Sequence, residues 1–160
     1  MSEVALGSIL KPLIGTDEAV IDDKGRLLVS KKKRERLGSR FTMCLGDNGC
    51  IYAYPAETWW RIVKEMLGYE AINQGRQKYT RLILGNAEDE LEFDPQGRVV
   101  VPRKLRELGR LQEKVLLVGC GDRLEVWAKE EYDKYEADPD TYGQARMESI
   151  QRASQEMRAS

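Results

Sequence analysis

The sequence of 160 residues predicts an α+β fold, mainly β with helices, arranged as two pseudo-symmetric half-domains. Three observations carry that expectation. The first is an internal repeat. Ile21-Asp22-Asp23-Lys24-Gly25-Arg26-Leu27-Leu28-Val29-Ser30-Lys31-Lys32-Lys33-Arg34-Glu35 returns as Phe93-Asp94-Pro95-Gln96-Gly97-Arg98-Val99-Val100-Val101-Pro102-Arg103-Lys104-Leu105-Arg106-Glu107. Setting Gly25 on Gly97 puts Asp22 on Asp94, Arg26 on Arg98 and Arg34-Glu35 on Arg106-Glu107. The second is that the plan downstream repeats too, with Gly46 falling on Gly119 and Tyr54 on Trp127. The third is the spacing of turn residues between short aliphatic runs, which marks strands. Two copies are too few for a solenoid, so they read as paired half-domains.

In chain order, residues 1–16 contain Gly, Ser and Pro without a clear period and read as a flexible N-terminal arm. Asp17 to Ile21 begin the first strand. Asp22-x-x-Gly25 is turn chemistry: the carboxylate bonds nearby backbone, and Gly tolerates positive φ. An aliphatic triplet follows, so each copy reads as strand, tight turn, strand. Arg26 and Arg98 then project from hairpin tips, and Asp22 and Asp94 can brace them across the turn. A basic helix follows each hairpin, with Ser30 as N-cap in the first copy and Pro102 at the first helical position in the second. Gly38 reads as a helix stop.

Phe41–Leu45 and Cys50–Tyr54 read as strands around the Gly46–Gly49 turn. Pro55 opens an amphipathic helix with Trp59, Ile62, Val63, Met66 and Leu67 at helical spacing. Ala71 to Leu84 reads as a connecting helix. Glu88 to Phe93 leads into the second hairpin. Val115–Val118 and Leu124–Trp127 are the matching strands around Gly119–Asp122, and a polar helix starts near Lys129. The first unit is therefore assigned to 17–68, the connection to 69–86, the second unit to 87–136 and a polar C-terminal tail to 137–160. Tyr54, Trp59, Trp60 and Trp127 lie beside apolar neighbours and read as core packing rather than base-stacking platforms.

Formal charge is −1, but its distribution is uneven. Lys24 to Arg40 holds eight basic residues against Glu35 alone, and Glu130 to Asp140 holds six acids against Lys134. Such asymmetry points to an anionic partner for one face. The chain has no histidine, which excludes Ser-His-Asp and Cys-His catalysis and the usual zinc sites. With no phosphate-cradling Gly loop either, the expectation is no enzyme, no metal, no cofactor and no small-molecule substrate. Cys44, Cys50 and Cys120 form no CxxC and read as small buried hydrophobes. An odd cysteine count without a signal peptide fits a cytoplasmic protein. No apolar run approaches the roughly 20 residues of a membrane helix.

At Asp22-Asp23-Lys24-Gly25-Arg26 and Asp94-Pro95-Gln96-Gly97-Arg98 the chain resembles the MraZ family, which carries Asp-x-x-x-Arg twice. Gly49–Pro55 followed by Trp59, Arg81–Ala87 and Gly119–Trp127 are similar to other stretches of that family, so the resemblance spans about Asp17 to Glu136. It implies tandem AbrB-like (SpoVT-AbrB) swapped-hairpin units forming a compact double-unit barrel. It also implies a nucleoid-associated bacterial repressor of the division and cell-wall gene cluster, binding repeated operator sites on double-stranded DNA as a ring of protomers. On that reading Lys24, Arg26 and Arg98 meet the major groove, Lys31, Lys32, Arg103 and Lys104 hold phosphates, and Asp22, Gly25, Asp94 and Gly97 orient the tips. Three departures stand out. Ser30 replaces a proline, Lys33 replaces an apolar residue, and the arm is long. The first helix is then expected to pack less tightly or to add DNA contact. A second reading is a ring-forming interaction scaffold whose acidic C-terminal face binds a protein. An antitoxin with the same half-fold would carry one unit, and the duplication argues against it.

Overall fold

A computed structural model describes residues 11–138 and 146–159 of the chain. Of the expected arm, residues 1–10 lie outside the described residues, and by Leu13 the chain is already a strand. Strand β1 spans Leu13–Val20, so it starts ahead of the expected Asp17. Strand β7 spans Lys114–Gly121 and runs past its expected end at Val118. Both differences have one cause. Leu13, Ile14, Gly15 and Thr16 pair with Gly121, Cys120, Gly119 and Val118. Gly119 signals a turn in isolation, yet here it lets a second backbone come close. A Cβ on it would lie 2.6 Å from the Leu13 carbonyl carbon.

The other elements of this unit are β2 (Arg26–Leu28), α1 (Lys31–Leu37), β3 (Phe41–Leu45), β4 (Ile51–Pro55), α2 (Ala56–Leu67), α3 (Gln74–Ile83), β5 (Glu88–Leu91), β6 (Arg98–Val100), α4 (Arg103–Leu108) and β8 (Leu124–Ala128). The main sheet has six strands in the order β1-β7-β8-β4-β3-β5, and β2 pairs with β6 in a separate two-stranded ribbon. Every pairing named is antiparallel. Exchanging the copies turns the sheet order into its own mirror: β1 trades with β5, β7 with β3 and β8 with β4. The leading strand of each copy pairs with the hairpin of the other, as β1 with β7 and β5 with β3. The chain is thus α+β, mainly strands, with two interlocked copies.

That interlocking agrees with the expected swapped hairpins and corrects only the reading of each copy as a self-contained strand-turn-strand. Ile21 and Leu27 make a lone bridge across the first turn. Beyond it β2 leaves its own hairpin for β6, with Arg26 opposite Val100, Leu27 opposite Val99 and Leu28 opposite Arg98. Strands of three residues bury too little alone. Paired across copies, they sink Leu27, Val29, Val99 and Val101 into one core with Ile51, Ala53, Leu117 and Val126. Phe41 stacks on Phe93 with ring centroids 4.7 Å apart.

The helices close this core, again with differences at their ends. Ser30 holds the N-cap position of α1 but makes no side-chain cap bond. Its hydroxyl lies 3.4 Å from an Asp17 carboxylate oxygen instead. Pro102 sits at the N-cap of α4, one place before the first helical residue, and fixes φ at −53°. Gly38 ends α1 at φ 93°, its N–H donating to the Arg34 carbonyl. The connecting helix is shorter than expected, because Asn73 caps it by accepting the Arg76 N–H at 3.0 Å. Trp59 and Trp127 are buried as expected, but Trp60 is half exposed, since one step along α2 turns it off the buried face. Cys44 and Cys50 are buried and Cys120 is partly so.

A second compact unit begins at Lys129. It contains α5 (Lys129–Ala137) and α6 (Arg146–Ala159). In α5 Lys129 pairs with Asp133 at 3.2 Å, and Tyr132 lies against Tyr135. The expected polar tail therefore holds a helix, and residues 139–145 and 160 lie outside the described residues. Among the described residues no helix is long and apolar enough to cross a membrane.

Candidate nucleic-acid interface

The two Asp-x-x-Gly-Arg turns have nearly the same hydrogen bonds. In the first, Gly25 N–H donates to the Asp22 carbonyl at 3.0 Å, and Asp22 N–H donates to the Arg26 carbonyl at 3.0 Å. Asp22 Oδ1 accepts the N–H groups of Lys24 and Arg26, both at 2.9 Å. Its Oδ2 accepts Arg26 Nε at 2.6 Å. In the second, Asp94 Oδ1 accepts from Gln96 and Arg98 N–H at 2.9 Å, and Oδ2 accepts Arg98 Nε at 3.2 Å. Arg98 also donates through Nη2 to Gln96 Oε1. Each aspartate is thus spent on its own turn and its own arginine. Binding through Nε leaves the Nη pair of Arg26 as the outer fork of its guanidinium, while in Arg98 Gln96 takes Nη2 and leaves Nη1 outward.

The bond from the Arg26 N–H, more than any other influence, holds the Asp22 carboxyl below its ordinary value. The Arg98 N–H does the same for Asp94. Both acids stay ionised and both arginines stay tied. Arg26 and Arg98 side chains keep 31% and 29% of their surface, so neither guanidinium is sealed inside the unit.

Two arginines of the repeated Arg-Glu pairs, to which the sequence assigned no role, complete the pair of turns. Arg106 of α4 lies over Gly25, where a Cβ would meet its Cζ at 2.8 Å. Arg34 of α1 lies over Gly97, where a Cβ would meet its Cζ at 2.6 Å. Each also holds the residue that follows the short strand of its own copy. Arg34 donates to the Val29 carbonyl, and Arg106 Nε donates to that of Val101 at 3.0 Å. The ribbon is extended by Val29 N–H to the Gly97 carbonyl and Val101 N–H to that of Gly25. So each turn glycine takes a positive φ (78° and 86°), and a side chain there would also have to displace the guanidinium lying over it. The repeated Arg-Glu pair was the available signal, but only the cross-copy pairing says what its arginine covers.

The remaining predicted residues sit around this ribbon. Lys24 is exposed on the first turn. Lys31 and Lys32 are exposed in the first turn of α1, Arg103 and Lys104 in the first turn of α4. Arg103 pairs with Glu107 at 3.1 Å on an open surface, where such a pair contributes little. Lys33 is different. In the alignment that sets Gly25 on Gly97 it falls on Leu105, and both are buried. Its ammonium reaches Asp17 Oδ2 at 2.6 Å. The expectation that Lys33 loosens α1 or adds DNA contact is therefore corrected, because the ammonium is turned inward and paired.

The surface assembled here has two forked arginines on one ribbon and four further cations at the starts of two helices. Among the described residues no group of His, Cys, Asp or Glu could hold a metal ion. The arrangement is suited to a polyanion with hydrogen-bond acceptors at fixed spacing.

Comparison with known proteins agrees with the duplication. A family model described as “MraZ protein, putative antitoxin-like” matches residues 13–79 and again 83–152. A protein of Desulforamulus reducens named “Transcriptional regulator MraZ” is 36% identical over 117 residues, covering 73% of this chain and 82% of that protein. Proteins with the same name from Thermoanaerobacter sp. and Lactiplantibacillus plantarum are 34% and 35% identical, covering 80% and 78% of this chain and 89% and 87% of theirs.

Proposed function

The chain belongs to the MraZ family, and on that premise we propose that it is a DNA-binding transcriptional regulator. It binds double-stranded DNA sequence-specifically at repeated operator sites, as a ring-shaped homo-oligomer, and represses the division and cell-wall gene cluster. It works in the cytoplasm at the nucleoid. The name those relatives carry supports the regulatory part of this reading.

The observation that carries the DNA part is the cross-copy ribbon, with Arg26 and Arg98 each held by an ionised aspartate. A two-stranded ribbon fits the major groove, and an arginine fork matches guanine O6 and N7. Lys24, Lys31, Lys32, Arg103 and Lys104 take phosphates and set register without reading sequence. One protomer offers few contacts, and a ring multiplies them by effective concentration. Exposed Trp60, Leu67, Tyr69, Ile72, Tyr79 and Leu82, on α2, α3 and the segment joining them, favour association between protomers.

The test is a fluorescence-anisotropy titration with the duplex upstream of the protein's own gene, over a salt series. Arg26→Ala is expected to weaken specific binding by about 1–3 kcal/mol, and Lys31→Ala to lower the salt slope by about 1. An Arg26→Ala, Arg98→Ala double variant with wild-type affinity would overturn the base-reading role. Binding that fails to strengthen as salt falls would favour the protein scaffold.

A further inference from the structure

Two aliphatic side chains stand in water on the same surface as the two arginines. Leu28 is 54% exposed and Val100 is 55% exposed. Leu27 and Val99, one step away on each strand, are fully buried. Side chains alternate along a strand, so Arg26 and Leu28 on β2 share the outer face with Arg98 and Val100 on β6. The register then sets Val100 directly opposite Arg26 and Leu28 directly opposite Arg98. Directly opposed side chains in such a pair are roughly 4.5–5.5 Å apart at Cβ. Each arginine therefore has an aliphatic neighbour across the ribbon, and the pattern occurs at both ends.

This deepens the reading of the ribbon as a DNA surface and rests on it. The major groove offers one apolar group that marks a base, the 5-methyl of thymine. We propose that Leu28 and Val100 are specificity-determining residues, each packing on the methyl of a thymine adjoining the guanine read by the arginine opposite. Asp22 and Asp94 do not oppose this, because both are spent on turn amides and their own arginines. The spacing agrees as well. Residues two apart on a strand are about 6.6 Å apart, which is about two base-pair rises of roughly 3.4 Å. The two Arg-aliphatic pairs thus address positions about two base pairs apart in one groove.

The experiment selects duplexes from a randomised library with wild type, Leu28→Ala, Val100→Ala and Arg26→Ala, Arg98→Ala proteins. Each thymine in the wild-type motif is then replaced by deoxyuridine, which removes the methyl alone. Wild type is expected to enrich thymine beside guanine and to lose about fourfold in affinity for each contacted methyl removed, from roughly 0.8 kcal/mol per buried methyl and 1.4 kcal/mol per tenfold. The alanine variants at 28 and 100 are expected to keep guanine, lose the thymine preference and ignore deoxyuridine. Both sites are exposed, so urea midpoint and light-scattering mass should stay at wild-type values. Thymine preference that survives both alanines, or wild-type indifference to deoxyuridine, overturns the inference. A changed mass with an unchanged motif makes the face a subunit contact and overturns it too. If guanine depends on the arginines while thymine ignores the aliphatics, this inference alone fails. If no motif depends on the arginines, the regulator reading fails with it.

Discussion

Replacing Gly97 by alanine tests the interlocked turns most directly. Gly97 has φ 86°, a region costing a non-glycine residue about 1–2 kcal/mol. The new Cβ would also lie 2.6 Å from Arg34 Cζ, so the guanidinium has to move. Moving it breaks the bond from Arg34 to the Val29 carbonyl. A bond from a charged donor contributes about 1.5–3 kcal/mol, less where solvent replaces it, and Arg34 is only half-buried. Alanine returns about 0.4–1 kcal/mol by restricting the unfolded chain. The net expectation is a loss of about 1.5–3 kcal/mol. Arg34→Ala alone should cost about 1 kcal/mol, the loss of one such bond. In the double variant the steric conflict is gone, so it should be more stable than the sum of the singles predicts by about 1 kcal/mol or more. Urea unfolding followed by far-UV circular dichroism, at fixed protein concentration, reads all four proteins. With a slope of about 1–3 kcal/mol/M, the Gly97→Ala midpoint should fall by roughly 1 M. A Gly97→Ala protein within 0.5 kcal/mol of wild type, or strict additivity with Arg34→Ala, would refute the reasoning.

Further outcomes follow from the same geometry. The Asp22 and Asp94 carboxyls titrate below their ordinary value of 3.8 in the folded chain, so their stabilisation is complete above that pH and is lost as pH falls through the lower folded value. Thermal melts of wild type and Asp22→Asn, Asp94→Asn should differ most near pH 6 and converge as pH falls below the lowered folded values; a constant gap at all pH would contradict this. Asp17→Ala leaves the Lys33 ammonium buried and alone, and should cost about 2–3 kcal/mol, at the low end for a broken buried pair because Asp17 is half in solvent. Lys33→Met should be neutral or stabilising, since Leu105 fills the same place in the other copy, and a large loss would show that the pair itself matters. Burial pushes the thiols of Cys44 and Cys50 up to about 12, so both should resist a disulfide-exchange reagent at pH 8 until urea is added, while the less buried Cys120 reacts first.

How much of this was legible in the sequence depends on the range of the interaction. Turn chemistry is local, and Asp22, Gly25, Asp94 and Gly97 were readable from five-residue windows. The strand triplets were readable as well, because Leu27 and Val99 announce themselves by composition. Their partners were not. Nothing within either copy says that β2 leaves its hairpin for β6, or that Leu13 reaches Gly121, since those pairings join residues far apart in sequence. The same holds for Arg34 and Arg106, whose identity repeats visibly while the glycines beneath them belong to the other copy. Lys33 misled for a related reason. In a run of three lysines only the helical phase, fixed by Leu37 and the core, tells which one points inward. Trp60 erred the other way, because an aromatic beside Trp59 reads as core until the phase of α2 is known.

The exchange of strands between copies also governs how the chain comes into being. While residues up to about 70 emerge from a ribosome, β1, β2 and β3 exist but the strands that complete them have not yet been made. The early half waits with open backbone edges until β7 is synthesised, so folding is delayed until the second copy has been made and is slow for a unit of this size. A nascent half in that state can take its missing strands from a neighbouring copy as readily as from its own, and crowding of chains on one message favours such entanglement. Severed between α2 and α3, the two pieces should remain unstructured apart and assemble when mixed.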